Sequence, residues 1–318
     1  MSEHIDVVAA AALLQEADDI LILTHGSPDG DTLGSGFGLC RGLRQLGKRA
    51  QVVCADPMPE KYAYMIPPEQ SFEPAFLCAV DVADPKLMGR FAELADKVQL
   101  TIDHHVSNTG YAQKLLLKSD YGATAMAVLE VLDALKVTID PDIAACLYTG
   151  IATDTGCFKY TNTTSRTHHM AARLIECGAP AGRINREMFD IKSRARLELE
   201  RQALESIRFF FSDRCAVMVI TQRMLQETGA SEGDLEGLSP IPRQIEGVWV
   251  GVTMREKAQG QYKVSLRTGE HADACRICTR LGGGGHARAA GCTVSGAADE
   301  AVDAVLSAIA ADLPEIAL

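Results

Sequence analysis

Apolar positions along this chain change period repeatedly. Residues 5–17 carry them at helical spacing, and Asp19-Ile20-Leu21-Ile22-Leu23-Thr24 is a short unbroken apolar run that reads as a buried strand. A loop rich in Gly and Asp follows. Helical spacing returns from Thr32 to Leu46 and stops at Gly47, after which Ala50-Gln51-Val52-Val53-Cys54 reads as the next strand. Further apolar runs lie at 75–80 and 97–102. Short buried strands alternating with helices require crossover connections, so residues 1–188 are expected to form an α/β domain with a doubly wound, mainly parallel sheet. Ligands in such a sheet bind beyond the carboxyl ends of its strands.

The pattern then becomes charged. Lys192, Arg194, Arg196, Glu198, Glu200 and Arg201 fall in a stretch with few breakers, which predicts a solvent-facing helix over 189–211 and a linker spanning 189–213. Beyond it, 215–220, 247–253, 262–266 and 289–294 read as strands, with helices near 221–228, 271–281 and 298–312. Residues 214–318 are therefore expected to be a smaller mixed α/β domain. No internal repeat or low-complexity tract interrupts this order.

Composition narrows the class. The 318 residues are 47% hydrophobic, with 31 Lys plus Arg against 42 Asp plus Glu and a net charge of −11. A chain of this size buries roughly 75% of its unfolded surface and sits where one core divides into two. Such an acidic balance argues against wrapping long duplex nucleic acid. No apolar run nears the ~20 residues of a membrane span. Met1-Ser2-Glu3-His4 lacks a signal-peptide pattern, so a cytoplasmic protein is expected. The ten cysteines scatter through apolar stretches and read as free buried thiols; Cys275 and Cys278 share a helix face rather than forming a metal knuckle with a second pair.

Ligand-type residues follow the buried runs. His25-Gly-Ser-Pro-Asp29-Gly-Asp31 sets an imidazole and two carboxylates on one loop, which is costly to desolvate without a cation; a polar turn with Asp31 as helix cap is the simpler alternative. Asp81 ends the run 75–80, Asp103-His104-His105 ends another, and Thr149-Gly-Ile-Ala-Thr-Asp154 supplies a fourth acid. Each is read as lying where the sheet opens. His168-His169 reads as a helix-surface pair.

These segments, in this order, resemble the DHH phosphoesterases, named for the triplet present here as Asp103-His104-His105. The resemblance extends to a DHH-associated second domain through Val264-Ser265-Leu266-Arg267 and Gly282-Gly-Gly-Gly285-His286-Ala-Arg-Ala-Ala-Gly291. Length and domain pair resemble the stand-alone group of nanoRNases (oligoribonucleases) and 3′-phosphoadenosine 5′-phosphate (pAp) phosphatases, which also contains hydrolases of linear or cyclic dinucleotides. The resemblance implies two divalent metal ions, Mn²⁺ or else Mg²⁺. His25 and Asp29 would hold one, Asp31, His104 and Asp154 the other, with Asp81 bridging. Two ions ~3.5–4 Å apart can hold a bridging hydroxide in line with phosphorus. By the same analogy His105 contacts the scissile phosphate or protonates the leaving group, and Asp103 orients a neighbouring histidine. A homodimer is also implied.

In the second domain, the Gly-rich run lacks a following Lys-Ser/Thr and is neither a triphosphate loop nor a dinucleotide fingerprint. Ser265, Arg267, Gly284, Gly285 and His286 are the candidate substrate contacts, Arg267 as a bidentate phosphate clamp. Between 243 and 288, eight basic residues (Arg243, Arg255, Lys257, Lys263, Arg267, Arg276, Arg280, Arg288) face four acidic ones (Glu246, Glu256, Glu270, Asp273), which marks an anion-binding face. One motif departs from the family: after Asp234-Leu-Glu-Gly237 stands Leu238-Ser-Pro240-Ile-Pro242 where relatives commonly have Val-Asn.

The expected substrates are short RNA oligonucleotides, linear dinucleotides such as pApA, or pAp. Three alternatives remain at this stage: a cyclic dinucleotide phosphodiesterase, a RecJ-type single-strand exonuclease, and a non-catalytic nucleotide sensor. The second usually adds an oligonucleotide-binding domain for which this sequence has no extra length, and the third has no need of six ligands. No membrane partner is expected.

Overall fold

The computed structural model describes residues 2–235 and 237–317. They form two compact units, Met1–Ile191 and Lys192–Leu318.

The first unit opens with β1 (Glu3–His4), α1 (Val7–Glu16), β2 (Ile20–Leu23), α2 (Gly30–Gln45), β3 (Ala50–Val53), β4 (Phe76–Val80), β5 (Leu100–Asp103) and β6 (Lys114–Leu117). The strands assemble in the order β1-β6-β5-β4-β2-β3, every neighbouring pair parallel. Four helices follow the last strand: α3 (Thr124–Ala134), α4 (Pro141–Asp154), α5 (Ser165–Glu176) and α6 (Ala181–Asn185). The doubly wound, mainly parallel sheet expected from the sequence is present. Its crossovers from β3 to β4 and from β4 to β5, however, are 3₁₀ segments at Glu60–Met65 and Pro85–Lys97. Prolines 57, 59, 67 and 68 and the left-handed Gly89 (φ 56°) deny those stretches a continuous α-helix.

One face of the sheet carries the main core, where Ile20, Ile22, Val80 and Ile102 meet Leu33, Phe37, Leu129 and Leu147 of the helices; the other packs Leu23, Ala79, Met88 and Val98. Helices α2 and α4 approach so closely that a Cβ on Gly34 would lie 2.4 Å from the Cys146 carbonyl oxygen and 2.9 Å from the Gly150 nitrogen. Both obstacles are backbone, so the helices would have to separate. Gly34→Ala is therefore expected to destabilise the protein by about 2–3 kcal/mol in urea unfolding.

The second unit contains α7 (Arg194–Glu205), β7 (Arg208–Phe210), β8 (Cys215–Ile220), α8 (Gln222–Thr228), β9 (Val250–Ala258), β10 (Gln261–Thr268), α9 (Ala274–Arg280), β11 (Gly284–His286), β12 (Ala289–Ser295) and α10 (Ala298–Asp312). Its mixed sheet runs β11-β12-β10-β9-β8-β7, with β8 and β9 parallel and the other neighbours antiparallel. Ile277, Val305 and Ile309 from α9 and α10 cover one face against Val252, Val264 and Leu266. The helix expected over 189–211 is shorter than that. Arg208–Phe210 is an edge strand instead, and α7 is not wholly solvent-facing, because Leu199 and Ala203, one turn apart, bury against Met218, Ile220 and Leu238. Cys275 and Cys278 lie on α9, Cys278 inside the core. Among the described residues no helix is long and apolar enough to cross a membrane.

Candidate dimetal site and substrate face

Chain order places the site. After β3 the chain returns to the other side of β2 to lay down β4, so the sheet's direction of growth reverses between these neighbours. That reversal opens a crevice beyond their carboxyl ends. His25, Asp29 and Asp31 lie in the segment leaving β2, Asp81 directly follows β4, and Asp103 ends β5. Asp154 does not follow a strand as expected: the fourth apolar run is α4, and Asp154 is its last residue. The run 143–152 is long enough for nearly three helical turns, and its one glycine, Gly150, sits within the helix without ending it.

The helix cap also differs from expectation. Asp29 caps α2, its Oδ1 accepting the N–H groups of Asp31 and Thr32, both at 3.0 Å. Asp31 sits inside the first turn, 1% exposed, and caps a different helix. Its carboxylate accepts the N–H groups of Thr124 (2.7 Å) and Ala125 (3.0 Å) at the start of α3, whose own cap position is Ala123. Ser35 Oγ donates to it as well, at 3.2 Å. Gly150 makes room for this carboxylate, since a Cβ there would fall 2.8 Å from Asp31 Oδ1. Asp81 stands in the left-handed region at φ 59° and accepts from Thr124 Oγ1 at 2.8 Å. Backbone strain of this kind persists where surrounding structure holds it.

Each histidine has one ring nitrogen occupied and the other free. His25 Nδ1 donates to the Gly26 carbonyl (2.8 Å) and His104 Nδ1 to the Tyr121 carbonyl (3.1 Å), so both aim Nε2 into the crevice. His25 Nε2 is then 3.6 Å from Asp29 and 3.5 Å from Asp81. His104 Nε2 is 4.0 Å from Asp31, 3.8 Å from Asp81 and 3.5 Å from Asp154. Three overlapping groups of donor atoms result, His25-Asp29-Asp81, Asp31-His104-Asp154 and Asp81-His104-His105, each within a 4.8 Å span; in the third, the His105 nitrogen near Asp81 is the Nδ1 already bonded to Asp103. Their separations are mostly too long for hydrogen bonds, and they fall between the ~3.0 and ~4.2 Å of cis and trans ligands around an octahedral ion at ~2.1 Å.

Electrostatics point the same way. Burial and the charges of Asp81, Asp154 and Asp29 hold the Asp31 carboxyl well above its usual range. Burial foremost lifts Asp154 to about 6, opposed by His104 and His105 and aided by Asp81 and Asp29. Burial opposes protonation of His25, yet Asp29 and Asp81 raise its pKa to about 11. A cation among these four converging carboxylates would relieve their repulsion. His105 is arranged differently: Nδ1 donates to Asp103 Oδ1 at 2.8 Å, Asn108 Nδ2 donates to Asp103 Oδ2 at 2.6 Å, and Asp103 is fully buried. The Asp103 hydrogen bond raises the His105 pKa to about 9.

Comparison with known proteins agrees with this geometry. Residues 19–151 match the DHH family, N-terminal domain, and residues 214–313 match the DHHA1 domain. The bifunctional oligoribonuclease and PAP phosphatase NrnA of Thermus thermophilus is 34% identical over 301 residues, covering 92% of this chain and 90% of that protein. The chain belongs to the DHH phosphoesterase family. As a member it is a metal-dependent hydrolase of phosphoric esters. The NrnA of Mycoplasma pneumoniae is 25% identical over 92% of this chain and 93% of its own. An exopolyphosphatase-related protein from Bacteroides fragilis shares the fold, with a TM-score of 0.88 at 24% identity over 98% of this chain and 97% of that one.

The DHHA1 unit gathers four of its five candidates on one sheet face. Cross-strand partners point the same way. Ser265 pairs with Gly291, which pairs with Gly284; Arg267 pairs with Ala289, which pairs with His286. Gly285 pairs with Ala290 and falls on the opposite face, and a Cβ on it would meet the Ala290 Cα at 2.6 Å, so close strand packing accounts for this glycine. The Gly-rich run is partly strand rather than loop. A cavity of about 590 Å³ on this sheet is lined by Lys257, Gln261, Lys263, Gly283 and Thr293. The Leu238–Pro242 segment lies against β9, with Thr253 Oγ1 donating to the Ser239 carbonyl at 3.2 Å; Glu236 of the same motif lies outside the described residues. His168 and His169 are exposed on α5. Thr124, Asn108, Ser35 and Gly150 all support the site; Thr124 and Gly150 lie far along the chain from the residues they touch, whereas Ser35 follows Asp31 by one helical turn and was open to sequence reading.

Proposed function

We propose that this DHH phosphoesterase hydrolyses short oligoribonucleotides and linear dinucleotides to mononucleotides, and pAp to AMP. The observation that carries the reaction type is the pair of three-residue groups, one containing Asp81 and the other facing it through His104, whose Nε2 is 3.8 Å from Asp81 Oδ1, so that each could hold a cation. His25, Asp29 and Asp81 would hold one; Asp31, His104 and Asp154 the other, with Asp81 shared. Carboxylate and imidazole donors suit Mn²⁺, and Mg²⁺ less well for want of nitrogen affinity. When bound, the ions supply Lewis acidity toward phosphoryl oxygens and offset the charge that develops on them.

The protein's own groups do the rest. His105 Nε2 is left free by the Asp103 contact, and because Asp103 raises the ring's pKa, that nitrogen can take up a proton and donate it to the phosphate or the leaving oxygen. Asp103, locked by Asn108 and by the N–H groups of His104 and His105, keeps that ring in place. In the second unit, Ser265, Arg267, Gly284 and His286 share a polar sheet face able to contact a nucleotide. The substrate class is supported by the names of the two NrnA relatives, each matched over nine-tenths of its length. All ten cysteines are free, which suits a reducing cytoplasm, and a homodimer is the assembly expected from the resemblance.

The test is turnover of pAp, pApA, a five-nucleotide RNA and cyclic di-AMP with Mn²⁺, alongside His104→Ala. Turnover of the first three that disappears in the variant is expected. Hydrolysis of the cyclic dinucleotide alone would overturn the substrate assignment.

A further inference from the structure

Most of the basic residues between 243 and 288 are already engaged. Arg255 and Lys257 face Glu232, Arg276 and Arg280 face Asp312, and Arg288 donates to the carbonyls of Gly269 and Ala272. The anion-binding face read from the charge count is therefore narrower than eight residues. Arg243 stands apart. Its Nε is closed off from solvent and has no hydrogen-bond partner, and among the described residues no carboxylate pairs with the guanidinium. A desolvated donor left unmade is expensive, and more so when charged.

Two glycines seat this side chain. The Arg243 backbone lies flat on Gly251, where a Cβ would come 2.4 Å from its nitrogen, and the guanidinium lies on Gly269, where a Cβ would come 2.6 Å from Nη2. Gly251 is the cross-strand partner of Arg267. Reading across the sheet, the row is Gly251 with Arg243 above it, then Arg267, Ala289 and His286. Neighbouring strands are ~4.8 Å apart, so this row spans roughly 14 Å. Arg243 flanks one end of it and His286 the other, with Arg267 and Ala289 between. Arg243 and Arg267 thus rise from neighbouring positions of one face, where a bound anion would interact favourably with both charges.

Resting on the function proposed above, we infer that Arg243 is a second phosphate-binding residue of the DHHA1 unit. Together with Arg267 it binds a phosphate group of the nucleotide substrate. A contact made equally in the bound substrate and the transition state alters KM and leaves kcat. Arg243→Ala is expected to raise KM for pAp tenfold or more with kcat within threefold, and Arg243→Lys to fall between it and the wild type. Gly269→Ala keeps the charge but displaces the guanidinium, and it should reproduce the KM effect. All three should keep the wild-type melting temperature within about 3 °C. Unchanged KM in both Arg243→Ala and Gly269→Ala would overturn the inference. Should the wild type fail to turn over pAp, the functional proposal falls, and AMP binding by calorimetry still decides Arg243: heat lost in Arg243→Ala supports the site, and heat retained removes it.

Discussion

Asp81→Asn is expected to lower kcat on pAp and on a five-nucleotide RNA by about 10³-fold or more, with the protein still folded. Asp81 is the carboxylate whose two oxygens face different histidines: Oδ2 is 3.5 Å from His25 Nε2 and Oδ1 3.8 Å from His104 Nε2. An amide retains an oxygen for one side only and removes the charge from both. Losing several kcal/mol of charge stabilisation corresponds to about that factor in rate. Three features predict an intact fold. Asparagine enters the left-handed region, where Asp81 stands at φ 59°, as readily as aspartate does. Its Oδ1 can still accept from Thr124 Oγ1, 2.8 Å away. Repulsion with the buried Asp31 is relieved. Steady-state kinetics beside circular dichroism check both halves, and a kcat within tenfold of wild type would remove Asp81 from the centre of the reaction.

How far the sequence carried these conclusions depends on range. The strand-ending positions of Asp81 and Asp103 were readable because a short apolar run followed by an acid is a local signal. Asp154 was found by residue type and family resemblance, while its setting was misread: an apolar run of ten residues suits a buried helix as well as a strand, and α4 is a helix. The cap of α3 could not be found at all, since Asp31 and Thr124 are 93 positions apart and meet only in the fold. The same holds for Gly150, which reads as an ordinary helix glycine until Asp31 is seen beside it. On the DHHA1 sheet, the charge count over 243–288 pointed to an anion-binding face but could not tell an engaged arginine from an unengaged one. That distinction rests on Glu232 and Asp312, both outside the counted stretch. Local periodicity therefore delivered the sheet, family resemblance named the candidate ligands, and contacts between distant segments delivered what holds those side chains.

Mn²⁺ is expected to raise the melting temperature of the wild type by roughly 5–10 °C at a concentration a hundredfold above its dissociation constant. Mass action gives about 2.7 kcal/mol there, and a unit of this size shifts by about 2–4 °C per kcal/mol. Asp154→Asn should lose most of that shift and yet, in chelator, melt no lower than the wild type. The reasoning is electrostatic. Asp154 faces His104 at 3.5 Å, accepts no side-chain hydrogen bond among the described residues, and lies near Asp31 and Asp81 in a buried crevice. Its folded pKa of about 6 exceeds the ordinary 3.8, so the folded state holds that proton more tightly than the unfolded state. The ionised carboxylate therefore costs stability above pH 6, and the cost fades as pH falls from 6 toward 4. In chelator, the wild type should gain stability between pH 7 and pH 5 relative to Asp154→Asn, which lacks that group. Differential scanning calorimetry across this range, with and without Mn²⁺, reads both effects. A variant that melts several degrees below the wild type in chelator would mean that Asp154 serves the fold by itself. A Mn²⁺ shift that survives the substitution would remove Asp154 from the ligand set and leave the second group, Asp31 and His104, without its third donor.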